Sequence, residues 1–272
     1  MHLLACRMHI AVDCEHLATR LAPTLQHAVQ RYPVARVHRF DVRRQEGRYR
    51  IEEDGAERTV EPTLEAAGFA LGRRIHELAL AALPEFTKIH AGCASWQGRR
   101  LLAVGPPRSG KTTLMTRLLY EGFSVHGDEL VLVRAGEALP YPRRFGVRPQ
   151  TLSLVPQLAA RAGGTPRGSG SVVVDPAQLG FDWTIAPAPV DAVFFLEPNH
   201  GGRTDLRPCP RYLMAQRVMS QSTPPDAGPR EWIRDVCGIL RTARCYTLSL
   251  GDLDTAVAAL KDGLSESPTV AA

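Results

Sequence analysis

The sequence predicts an α/β fold for most of its length, and three observations carry that reading. From Thr87 onward, short apolar stretches of strand length alternate with longer stretches of helical period. Glycines punctuate the junctions between them, as turn residues do. One apolar strand, Leu101 to Val104, runs through a glycine-bounded loop straight into a helix beginning at Lys111.

The 272 residues correspond to one or two domains at about 150 residues each. With 44% hydrophobic and 22% charged residues, the chain can fill a core, which excludes a disordered or fibrous protein. Lys and Arg number 33 against 28 Asp and Glu, a formal charge of +5. That bias suits an anionic ligand such as a nucleotide and is too mild to indicate nucleic-acid binding. The longest apolar runs, such as Leu78 to Leu83, are far shorter than the ~20 residues of a membrane span. Arg7, Asp13 and Glu15 interrupt the N-terminal apolar stretch, so no signal peptide is expected. Six cysteines without a CxxC pair read as reduced, buried thiols, and the expected compartment is the cytoplasm.

A soft boundary near residues 84 to 88 separates a small α+β domain, residues 1–86, from a larger one, residues 87–264, with a frayed tail over 265–272. In the first domain, Leu3 to Val12 reads as β and Glu15 to Arg31 as helix, with Leu17, Leu21, Leu25 and Val29 on one face. Arg36 to Val42 and Arg48 to Glu52 read as strands around a charged turn. Pro62 to Leu83 reads as a helix that Pro84 terminates. Nothing there suggests chemistry; its scattered histidines share no spacing and read as structural or surface groups.

In the second domain, His90 to Trp96 and Arg100 to Val104 are expected to pair around Gln97-Gly98-Arg99. A helix over Lys111 to Tyr120 follows, then strands over Phe123 to Val125 and Leu130 to Arg134. Later strands are expected at Ser171 to Val174, Val190 to Leu196 and Cys245 to Leu250, and helices at Tyr212 to Gln221, Arg230 to Thr242 and Asp252 to Leu260. Arg161 to Gly170 reads as a flexible loop.

The stretch with chemical content is Gly105-Pro106-Pro107-Arg108-Ser109-Gly110-Lys111-Thr112-Thr113, which satisfies G-x-x-x-x-G-K-[ST] between a strand and a helix. Main-chain N–H groups at a helix start lack internal acceptors and converge, with the helix dipole, on an anion. Gly105 and Gly110 permit close approach of phosphate oxygens, Lys111 reaches the β and γ phosphates, and the Thr112 hydroxyl suits Mg²⁺. ATP and Mg²⁺ are the expected ligands. The next strand ends at Asp128-Glu129, a pair of carboxylates able to divide the holding of a metal from the activation of an acceptor hydroxyl.

The segment from Ile89 to Val133, and more loosely the chain to Leu260, resembles the catalytic domain of HPr kinase/phosphorylase and its shorter relatives. The matching pieces are Ile89-His90-Ala91-Gly92, GPPRSGKT, VHGDE and the late strand DAVFFLEPN ending in Leu196-Glu197. The resemblance implies a P-loop kinase core in which Asp128 accepts the proton of an attacking serine hydroxyl, Glu129 helps Thr112 hold the metal, and His90 contacts the transferring phosphate. It offers Arg207 as an assisting arginine; Arg203, Arg143 and Arg144 are further candidates. The glycine-rich signature after the carboxylates and the stretch associated with dephosphorylation are missing. The chain is therefore more similar to the small kinases found beside peptide-maturation genes, including those acting on lasso-peptide precursors. This implies a peptide or protein substrate bearing a serine, with neither nucleic acid nor membrane as partner; a homo-oligomer is implied by resemblance alone. The small N-terminal domain is a candidate for docking a leader peptide or for self-association. Two other readings stay open: a non-catalytic nucleotide-binding module of a peptide-maturation system, and a small-molecule kinase.

Overall fold

A computed structural model describes residues 1–13, 15–19, 32–161 and 172–265. The fold is α/β, and the chain divides into two compact units, Met1–Pro84 and Glu85–Ala272.

The first unit carries a five-stranded sheet in the order β1 (His2–Leu3), β2 (Cys6–Val12), β3 (Arg36–Gln45), β4 (Arg48–Glu53), β5 (Ala56–Glu61). All neighbours are antiparallel except β2 and β3. The edge strand β5 escaped the sequence reading because AERTVE has no apolar alternation, only a β-compatible Thr-Val. A short helix α1 occupies residues 15–19; the rest of the predicted Glu15 to Arg31 helix lies outside the described residues. Helix α2 (Leu64–Ala81) starts where the Thr63 hydroxyl accepts the Ala66 N–H at 3.2 Å, and it buries Ala67, Leu71, Ile75 and Leu78 as one stripe.

The second unit is built on a six-stranded sheet, whose elements in chain order are β7 (Ala91–Trp96), β8 (Arg99–Val104), β9 (Ser124–Gly127), β14 (Ala192–Pro198), β15 (Asp205–Pro208) and β17 (Arg244–Leu250). Their spatial order is β15-β17-β14-β8-β7-β9. Strands β17, β14 and β8 run parallel at its centre, while β7, β9 and β15 are antiparallel additions. The β7–β8 hairpin turns on Gln97 and Gly98, both at positive φ (49° and 78°), the two-residue turn whose twist suits paired strands.

One face of this sheet packs on α3 (Lys111–Leu118) and α8 (Leu253–Ser265), with Leu114, Leu118, Phe194, Leu248 and Leu260 in a continuous core. The other face packs on α6 (Arg211–Ser220) and α7 (Pro229–Leu240) through Val193, Met214, Val218 and Ile239. A four-stranded sheet, β11 (Glu137–Pro140), β10 (Val131–Arg134), β6 (Thr87–Ile89) and β16 (Ser222–Thr223), and a pair, β12 (Phe145–Val147) with β13 (Val172–Val174), complete the strands. Two short helices, α4 (Pro149–Leu154) and α5 (Pro156–Arg161), follow β12.

Several boundaries differ from expectation for identifiable reasons. Helix α8 continues to Ser265 rather than stopping at Leu260, because Leu264 is still core-facing. Helix α3 ends near Leu118 and β9 begins only at Ser124, because Gly122 takes a left-handed turn at φ 81° between them. Buried free thiols are found at Cys6, Cys93, Cys209 and Cys245, whereas Cys237 of α7 is exposed. Residues 162–170 and 266–272 lie outside the described residues. Among those described, no helix is long and apolar enough to cross a membrane.

Candidate functional site

The loop Gly105 to Gly110 leaves the carboxyl end of β8, one of the three parallel strands, which is where open α/β sheets leave space for ligands. Gly105 is packed so closely that a Cβ would stand 2.9 Å from the Leu196 carbonyl oxygen and 2.8 Å from the Ser109 hydroxyl. At Gly110, φ is 92° and a Cβ would meet Leu250 at 2.7 Å, so both glycines of the motif are required by geometry. Arg108 is also left-handed, at φ 66°. The first bond of the α3 ladder runs from the Leu114 N–H to the Gly110 carbonyl at 2.8 Å, which leaves the amides of Lys111, Thr112 and Thr113 ahead of it.

Lys111 is folded back over the loop. Its Nζ donates to the Gly105 carbonyl at 2.6 Å and the Pro106 carbonyl at 2.9 Å. Burial holds its pKa down to about 8, with Asp128 and Glu129 opposing the shift. An incoming polyphosphate would have to exchange those two carbonyls for its own oxygens.

Asp128 follows β9, which antiparallel pairing with β7 carries back beside the loop. The Thr112 hydroxyl donates to Asp128 Oδ2 at 2.9 Å. Two residues separated by 16 positions thus share one point at the start of α3. Asp128 is 6% exposed, and burial pushes its pKa up to about 7; the Thr112 bond works in the opposite direction. Glu129 turns outward, its side chain 46% exposed, and meets the Arg143 guanidinium at 2.9 Å. His90 stands between β6 and β7, with its N–H bonded to the Gln221 carbonyl at 2.8 Å. Its imidazole bonds to the Glu129 main chain, and burial, with Lys111 nearby, lowers its pKa, so it is a neutral group at pH 7.

The structure therefore brings His90, Lys111, Thr112, Asp128 and Glu129 together around the loop formed by Gly105, Pro106, Pro107, Arg108, Ser109 and Gly110. Thr113, in the first turn of α3, shares a hydrogen bond with Thr151 of α4 at 2.8 Å. Of the arginine candidates, Arg143 reaches the site through Glu129, whereas Arg144 is half-buried beside Asp175. Arg207 meets Glu197 at 3.5 Å and Asp205 at 3.1 Å.

Sequence reasoning missed Arg217. It pairs with Glu197 at 2.8 Å, donates to the Thr247 hydroxyl at 2.6 Å and lies 4.6 Å over the Phe195 ring. Glu197 is two residues past Phe195, which is in register with Val104, so this ion pair flanks the loop. No spacing signal joins a residue of α6 to the end of β14. His126, inside the VHGDE stretch, is structural: Ser95 Oγ and the Thr184 carbonyl lie 2.8 and 2.7 Å from its two ring nitrogens, and burial lowers its pKa to about 4.

In the first unit, His38, Glu53 and Asp54 gather closely enough to suggest a cation, but the Arg74 guanidinium holds both Glu53 oxygens at 2.7 and 2.8 Å. That cluster is an ion-pair network. A scan against protein-family models finds no match for this chain, and a search of curated proteins finds none of significant similarity.

Proposed function

We propose that this chain is an ATP-dependent kinase that transfers the γ-phosphoryl group to a seryl hydroxyl of a peptide or protein. The observation that carries the reading is the buried Asp128 carboxylate held on the Thr112 hydroxyl at the mouth of the phosphate loop. A phosphate loop alone would suit any nucleoside triphosphate; a buried carboxylate of raised pKa beside it adds a group matched to accepting a proton near neutral pH. The P-loop kinase core of HPr kinase type, implied by the sequence resemblance, is part of the same proposal.

In this mechanism the serine oxygen attacks the γ-phosphorus as the bond to the β,γ-bridging oxygen breaks, and ADP leaves with that electron pair. The hydroxyl proton passes to Asp128. The loop amides and Lys111, once released from Gly105 and Pro106, neutralise the phosphate oxygens, so positioning and charge dominate. Neutral His90 offers a hydrogen bond without adding charge. The donor set of a hydroxyl, Thr112, and carboxylates, Asp128 and Glu129, suits a hard cation. Mg²⁺ held by Thr112 and Glu129, with Asp128 alongside, would supply charge neutralisation on the polyphosphate.

The resemblance to kinases beside peptide-maturation genes makes a ribosomal peptide precursor, such as that of a lasso peptide, the first acceptor to test. Incubation with labelled ATP, Mg²⁺ and serine-containing precursor peptides should give a phosphopeptide by mass spectrometry. Nucleotide binding with every peptide unlabelled would favour the accessory-module reading instead. Label in free metabolites only would favour a small-molecule kinase.

A further inference from the structure

Helices α6 and α7 leave between them an open groove of about 400 Å³ that the chemistry above does not use. Tyr212 and Ala215 of α6 line it with Cys237 and Leu240 of α7, together with Arg211 and Arg241. Tyr212 is 72% exposed, an uncommon position for a large side chain with no partner surface. The neighbouring arginines 207, 217 and 234 are each paired with a carboxylate. Among the described residues, no carboxylate pairs with Arg211 or Arg241. Two guanidiniums without a carboxylate partner, set among apolar lining residues, call for an occupant that is both acidic and apolar.

We propose that this groove docks the polypeptide carrying the acceptor serine, through a segment in which an aromatic or aliphatic residue is bracketed by carboxylates. The inference rests on the kinase reading above. Helix α6 links groove and site: Gln221, just past its end, accepts the His90 N–H at 2.8 Å. From Tyr212 to Gln221, at about 1.5 Å per residue, is roughly 14 Å. An extended chain covers that distance in about four or five residues, which sets the spacing between docking segment and serine. A nucleic acid would call for a row of cations along its phosphates, and here two share the lining with apolar side chains.

The test uses the full chain and fluorescent peptides carrying Glu-Glu-Phe-Glu about five residues from a serine, with Lys-for-Glu controls. The acidic peptide should bind at least about tenfold more tightly than the basic one, and the double variant Arg211→Glu/Arg241→Glu should lose that preference. In turnover the variant should raise KM for the peptide about tenfold with kcat and nucleotide affinity unchanged. As a check on the parent chain, bound acidic peptide should slow maleimide labelling of the exposed Cys237 thiol.

Phosphorylation that ignores the acidic segment and the variant overturns the groove assignment and leaves the kinase reading standing. Acidic-peptide binding that the variant abolishes, without phosphate transfer from ATP, supports docking and sinks the kinase reading. A concentration-dependent dimer dissolved by the double variant, or displacement of the peptide by a short oligonucleotide, overturns the proposal. Unslowed Cys237 labelling does so even if the variant fails to fold.

Discussion

Lys111 and Asp128 carry opposite charges into a space with little access to water, and burial moves both toward neutrality, to about 8 and about 7. Because kcat/KM reports the free enzyme, it should rise as Asp128 loses its proton near pH 7 and fall as Lys111 loses its own near pH 8. A pH–rate profile of peptide phosphorylation checks both limbs; a flat profile from pH 6 to 9 contradicts the assignment. Stability follows the same carboxyl. Its folded pKa exceeds the ordinary 3.8, so between those values the folded state binds more protons than the unfolded, and stability falls as pH rises toward 7. Asp128→Asn should therefore gain thermal stability over the parent, by roughly a few degrees at pH 8 and less at pH 5, while keeping nucleotide affinity and losing transfer. Melting curves at the two pH values and single-turnover assays read these outcomes separately. Gly110→Ala faces both a left-handed backbone and the Leu250 side chain. It should cost about 1–3 kcal/mol in denaturant unfolding and remove detectable ATP binding.

Strands and helices place these residues, and here legibility was uneven. The strand–loop–helix from Leu101 to Leu118 could be read because its form depends on local spacing: the loop, Lys111 and Thr112 are contiguous, and the apolar flanks announce their own period. The approach of Asp128 to Thr112 required β9 to return antiparallel beside β7, where His126 bonds to Ser95 and Thr184. The motif suggested that meeting but left its geometry undetermined. The Glu197–Arg217–Thr247 cluster joins β14, α6 and β17, and no local pattern encodes it. Removing the guanidinium leaves Glu197 without its closer partner and uncovers the Phe195 face, so Arg217→Met should lower unfolding free energy by about 1–3 kcal/mol. Equilibrium denaturation measures it, and an unchanged midpoint would make the cluster a surface ornament.

For the molecule as a whole, the division at Pro84/Glu85 predicts that a chain beginning at Glu85 unfolds cooperatively and binds ATP with the affinity of the full protein. Calorimetry and nucleotide titration of that fragment test it; loss of binding would assign the first unit a part in the site. The sequence by itself determined the α/β class, the strand–loop–helix with both motif glycines and the helix stripes, because each rests on contiguous residues whose side-chain period or backbone freedom is a local property. Only the tertiary structure decided the strand order around β8, the placement of Asp128 on Thr112, the turning of Glu129 toward Arg143, and the open groove between α6 and α7. Those features arise where segments far apart in the chain meet, and the residues that meet there carry no mark of their partners until hydrophobic burial has brought the sheets and helices together.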